Sequence, residues 1–210
     1  MLRNELNEGD IVFIEINKEE FRECLESAAN IKLSDRNDLH ERDPFERFIN
    51  VLMGEIAEKM VMKWFAKNEI KFKPAHDKTL NVPDGGRDII VYNKGREIIC
   101  SVKSSLSYKL SFSRIIEICK LATKKSELRS INIQVYFRLV LEPPINENRY
   151  TVPNIKNSAI IGWFGEKDLE DFTSYSTEKR QVPLASLRKS RTMLSLLEFL
   201  DKDADNENPV

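Results

Sequence analysis

Apolar residues along this chain recur with two periods, one near 3.6 and one of 2, and each marks a different element. Residues 11–16 form a short apolar run with the content of a strand, and residues 18–30 follow as a helix. The polar stretch 34–43 ends in Asp43-Pro44, a helix start. Aspartate accepts from the free N–H groups of a first turn, and proline needs no donor there. Beyond it Phe45, Phe48, Ile49, Leu52, Met53, Ile56, Met60 and Trp64 recur at three and four, so a long helix to about residue 68 turns one stripe to a core. Pro74 and Asn81-Val82-Pro83-Asp84-Gly85-Gly86 are turn signals. Strands are expected at 88–92, 97–103, 131–141 and 159–164, and helices at 113–125, 167–172 and 191–200. Helix, strands, helix, strand is the order of an α/β protein, a mixed central β-sheet flanked by helices.

Length and charge narrow the picture. The 210 residues suit a single domain over 1–200 with its core at about 44–172, and the acidic, polar stretch 201–210 is expected to be a disordered tail. No apolar run approaches the roughly 18 residues of a bilayer crossing, so no membrane partner is expected. The first residues lack the basic and apolar parts of a signal peptide, and Cys24, Cys100 and Cys119 lack metal or disulfide spacing. A reducing cytoplasm is the expected location. His40 and His76 stand in no ligand or triad pattern, and without GxxxxGK no nucleotide cofactor is expected. The net charge of −1 hides a gradient: residues 1–60 carry 8 Lys/Arg against 15 Asp/Glu, whereas residues 94–141 carry 10 against 3. A chain divided this way can offer a basic face to a polyanion while staying near neutral overall.

The segment 83–103 concentrates the chemistry. If Lys94-Gly95 is a two-residue hairpin loop, Asn93 pairs with Arg96 and Asp88 lies directly across from Ser101. Opposed residues share a face, and Lys103 lies two residues further along it, so a carboxylate, a hydroxyl and an amine meet at one hairpin end. A slip of one residue would undo this. A divalent cation held by such an acid activates water beside a phosphodiester, and a lysine orients that water. Magnesium wants more than one carboxylate, so Asp88 needs a second acid.

Pro83-Asp84-Gly85-Gly86-Arg87-Asp88, the apolar strand after it, and Ile98-Ile99-Cys100-Ser101-Val102-Lys103 resemble the core of the PD-(D/E)xK nuclease superfamily. Gly54-Glu55-Ile56-Ala57-Glu58 resembles the glutamate-bearing helix that many members place upstream, and Ile160-Ile161-Gly162-Trp163 is similar to the tail of some phage and restriction-associated members. The resemblance spans roughly residues 50–170. It departs at Ser101, where the family keeps Asp or Glu. A subgroup of type II restriction endonucleases is similar in this respect, with Ser-Val-Lys on the strand and a glutamate on the following helix. Glu117, 14 residues after Lys103 (117 − 103), has that kind of spacing; it is equally placed for an (i, i+3) pair with Lys120. An inactive site is the third possibility.

The resemblance implies a restriction-endonuclease-like fold and a magnesium-dependent enzyme, with one or two ions, cutting double-stranded DNA, most closely a type II restriction enzyme working as a homodimer. Asp88 and Glu117 would hold the metal with the Val102 carbonyl, Lys103 would activate water, and Glu55 would orient Lys103 or a second bound water. Ser101, Glu58 and Asp84 are secondary candidates. Glu55 lies at the edge of the apolar stripe and Glu58 opposite it, while Asp84 precedes a Gly-Gly turn. Lys109, Arg114 and Lys120 are candidate phosphate contacts, with Lys179-Arg180 and Arg188-Lys189-Ser190-Arg191 as a second basic cluster. Other readings are a phage-type, repair or junction-resolving nuclease of low specificity, and an inactive DNA-binding module of the same fold.

Overall fold

The computed structural model describes residues 6–31, 43–75, 87–108, 110–118, 120–124, 127, 130–139, 157–165, 179–183 and 192–202. Helix α1, Lys18–Asn30, opens with a capping box: the Asn17 side chain accepts from Glu19 N and Glu20 N, and the Glu20 carboxylate returns to Asn17 N at 2.8 Å. Helix α2, Pro44–Lys67, starts at Asp43, whose carboxylate accepts from Phe45 N and Glu46 N at 3.0 Å. Val51, Ala57, Val61 and Phe65 are buried in addition to the expected stripe. Helix α2 needs apolar surface on two flanks because α1 packs on one and the sheet on the other. Phe45, in the first turn ahead of the packed segment, is 47% exposed, contrary to its expected place in the stripe. Lys59 and Lys63 clasp Glu23 and Glu20 of α1, each at 2.7 Å.

Strands β1 (Lys71–Pro74), β2 (Ile89–Asn93) and β3 (Arg96–Tyr108) follow as an antiparallel meander. Helix α3 (Phe112–Ile118) and strand β4 (Lys120–Lys124) lead to β5 (Ile131–Leu139), which lies parallel to β3. Strand β6 (Ser158–Phe164) is antiparallel to β5, β7 (Lys179–Pro183) pairs with β4, and helix α4 (Met193–Lys202) comes last. The main sheet has the order β1-β2-β3-β5-β6, so it is mixed, and the class is α/β as expected. The β2–β3 turn is Lys94-Gly95 with φ of 44° and 87°, two left-handed residues of the kind that a tight hairpin requires. Its register runs from Asn93↔Arg96 to Ile89↔Cys100, the pairing expected from the sequence.

Each face of the sheet has its own core. Cys100, Ile133, Val135 and Phe137 face α2, together with Trp163, which packs on Phe199 of α4 with ring centroids 5.1 Å apart. Tyr136, Ala159, Ile161 and Phe164 face the other way, toward Leu6, Ile11 and the α3 residues Phe112, Ile115 and Ile116. Among the described residues no helix is long and apolar enough to cross a membrane.

Several expected elements change. Residues 11–16 make one β-bridge, Val12 with Ile160, in place of a strand. Ile11 belongs to one core while Ile14 and Ile16 belong to the other, so this segment crosses the edge of the sheet and can pair only where it crosses. The expected helix 113–125 stops at Ile118, and its second half is β4, held by β7. The β7 segment, Lys179–Pro183, carries no strand pattern of its own, so a distant pairing overrides local preference. Strand β3 continues five residues past Lys103 to Tyr108 (108 − 103), because β5 pairs with it from Cys100 to Tyr108 and draws in serines that would otherwise favour a loop. Strand β1 replaces part of the expected turn region. Helix α4 runs to Lys202, two residues into the expected tail, while 203–210 and the helix expected at 167–172 lie outside the described residues.

Candidate active site

Asp88 ends the hairpin opposite the turn. Its N–H donates to the Cys100 carbonyl at 3.1 Å and its C=O accepts from Ala75 N at 3.0 Å, so the backbone is held between β1 and β3. Its carboxylate accepts from Val102 N at 2.5 Å and from the Ser101 hydroxyl at 3.3 Å. A charge-assisted bond to a backbone N–H fixes the carboxylate against β3. In an extended strand the N–H and C=O of one residue point the same way, so the Val102 carbonyl faces the Asp88 side of β3 as well. Ser101 is fully buried.

Lys103 shares its face of β3 with Ser101, and its ammonium lies 2.6 Å from the Glu127 carboxylate. The Glu127 side chain is 2% exposed and that of Lys103 is 23% exposed, so this pair is largely withdrawn from water. Asn132 holds the turn that carries Glu127. It is fully buried in β5 directly beside Ser101, and its amide donates to the carbonyls of Ser130 at 2.8 Å and Glu127 at 3.2 Å. Glu127 was missed in the sequence, where it is one acid in a basic stretch. The available signal was in β5: Asn132 and Gln134 alternate with Ile131, Ile133 and Val135, marking a polar row on one face of an otherwise apolar strand.

Glu117 sits elsewhere. It lies on the exposed side of α3 in an ion pair with Arg114 at 2.6 Å, with side chains 58% and 51% exposed. The acid beside Lys103 is therefore Glu127, and Glu117 has the partner one turn back on its own helix that its (i, i−3) spacing allows. The Glu55 carboxylate accepts from Ser27 of α1 at 2.7 Å. Its helix covers the face of Cys100 and Val102, whereas Lys103 faces the other side of β3. Glu58 is partly buried on α2. Asp84 and Lys109 lie outside the described residues, as do the side chain of Lys120, His40, His76 and Cys119. Cys24 and Cys100 are buried, and burial, reinforced by the nearby Asp88 charge, pushes the Cys100 thiol up from its ordinary value. Among the described residues no three acids, histidines or cysteines form one cluster.

The structure thus joins Asp88, Ser101 and Val102, places Lys103 on the same strand face, and supplies Glu127 as its counter-charge. Compared with family models, with curated proteins and with solved structures, the chain matches none.

Proposed function

We propose that this chain is a magnesium-dependent endonuclease acting on double-stranded DNA, of the sequence-specific type II restriction kind. One observation carries the reading: an acid at the start of β2 bonded across to the Ser101-Val102 stretch of β3, with Lys103 next along that strand. This is the arrangement that the resemblance of residues 83–103 to PD-(D/E)xK nucleases leads one to expect.

The donor chemistry suits magnesium, which takes carboxylate and carbonyl oxygens. Asp88 and the Val102 carbonyl would hold the ion, while Glu127 is the acid committed to Lys103. Bound magnesium neutralises charge on the scissile phosphate and lowers the pKa of a bound water. Lys103 orients the attacking water through its ammonium, and Glu127 holds that ammonium in place. Asp88 is itself positioned by the Val102 N–H. The excess of basic residues in 94–141 supplies phosphate contacts. A homodimer in the cytoplasm fits the same reading, since cutting both strands of a symmetric site takes two centres.

Purified protein incubated with phage DNA and magnesium is expected to give discrete bands. A smear would instead indicate a low-specificity nuclease of the phage, repair or junction-resolving kind. Intact DNA that is nonetheless retarded on a gel would indicate an inactive DNA-binding module, a reading favoured by the fully buried Ser101 hydroxyl at the acid position. Lys103→Ala should abolish cleavage and leave binding, and retained cleavage would refute the assignment of Lys103.

A further inference from the structure

The face of the sheet that bears Lys103 continues as a row of polar side chains, and at its far end two hydrogen-bond donors lack an acceptor among the described residues. Ser107 of β3 and Arg138 of β5 are register partners, so their side chains stand side by side across one inter-strand gap of about 4.8 Å. The Ser107 hydroxyl and the Arg138 Nε are both buried, and among the described residues neither has a hydrogen-bond partner. Ser107 as a residue is only 6% exposed. The Arg138 guanidinium packs over the Phe112 ring at 5.2 Å, and among the described residues no carboxylate lies within ion-pair reach of it. Leaving a buried donor unmet is unfavourable, and more so for a charged group. Two such donors together, one of them cationic, call for an anionic acceptor. Arg138 as a residue keeps some exposure. It also lies at the carboxyl ends of the parallel pair β3 and β5, where open α/β sheets place their ligands.

We propose that Ser107 and Arg138 form a binding site for a phosphate-type anion, filled by a backbone phosphate of the nucleic acid strand that runs along β3 from Lys103. The anion site stands on its own geometry, while the strand as occupant rests on the nuclease reading. Lys103 and Ser107 are four residues apart (107 − 103), or about 13 Å at the rise of a strand, so the two positions contact different phosphates of one strand. Arg138 and Ser107 hold the strand in place and take no part in the chemistry.

Three variants, Ser107→Ala, Arg138→Gln and Arg138→Lys, test this with two probes. A fluorescent duplex is titrated in EDTA across a range of salt, and inorganic phosphate is titrated in thermal melts at constant ionic strength. Arg138→Gln is expected to weaken duplex binding at least about tenfold and to lower the slope of log K against log salt by about 1, with Arg138→Lys recovering part of the loss. Ser107→Ala removes a buried hydroxyl that has no partner among the described residues, so it should melt no lower than the parent chain while binding the duplex several-fold more weakly. That pairing of signs separates a ligand site from a merely structural serine. Duplex affinity unchanged in all three variants, with no phosphate-dependent rise in melting temperature, would overturn the site and leave the Lys103 assignment standing. A parent chain that binds no duplex would instead remove the strand as occupant and the nuclease reading with it. The anion site then stands if phosphate stabilises the parent chain and not Arg138→Gln, and falls if it stabilises neither.

Discussion

Removing the Lys103 ammonium takes one cation from the Glu127 carboxylate, which is 2% exposed, and breaking a buried pair from one side costs about 3–5 kcal/mol. Because the Lys103 side chain keeps 23% exposure, Lys103→Met should fall at the lower end, about 3 kcal/mol, in urea unfolding. Adding Glu127→Gln should recover much of that stability without restoring cleavage. A double variant no more stable than the single one would show that Glu127 gains nothing from Lys103. The same strand offers a pH-dependent test on its other face. Burial, with the Asp88 charge beside it, raises the Cys100 thiol above its ordinary value of 9.0, so the folded chain holds that proton more tightly than the unfolded chain does. Stability from this group is therefore complete below pH 9.0 and is lost as pH rises above it, once the unfolded thiol ionises. Melting curves of the parent chain and Cys100→Ala should run parallel below pH 9 and converge above it, and Cys100 should resist thiol reagents at pH 8 until the chain unfolds.

At the scale of elements, the hairpin turn decides whether Asp88 and the Ser101-Val102 stretch meet at all. Gly95 has φ of 87°, and a Cβ there would meet nothing within 4 Å, so the cost of a side chain is conformational alone. Gly95→Ala is expected to lose about 1 kcal/mol in urea unfolding, and Lys94→Asn, at φ 44°, to gain stability, since asparagine tolerates the left-handed region. The turn was legible because Lys94-Gly95 sits between two apolar runs of similar length, and two-residue loops allow one register. The same was true of α2, where Asp43 and Pro44 announce the start through chemistry confined to one turn. Strand β4 was not legible. Its segment continues the helical pattern of α3, and the choice between helix and strand falls to β7, some sixty residues further on.

Over the whole molecule, the sheet separates two environments: the α2 side carries the larger apolar core, while the α3 side passes from aromatic packing into the polar row of Ser101, Lys103, Ser107, Asn132, Gln134 and Arg138. On the proposed nuclease reading the basic excess of residues 94–141 makes duplex binding electrostatic, so raising salt from 50 to 200 mM should weaken it by about a thousandfold or more, as read by anisotropy. A loss below tenfold would mean that few of the basic residues in 94–141 touch phosphate. The amino-acid order alone determined what depends on neighbours within a few positions: the α2 boundaries, the β2–β3 register, and hence Asp88 meeting Ser101 with Lys103 beyond it. Periodicity, capping and turn chemistry are short-range, and each is written out in consecutive residues. Only the tertiary structure decided that Glu127, and not Glu117, faces Lys103, and that Arg138 stands beside Ser107. Both depend on laying β5 parallel to β3 across a connection of more than twenty residues, and no local pattern encodes which side chains such a crossover brings together.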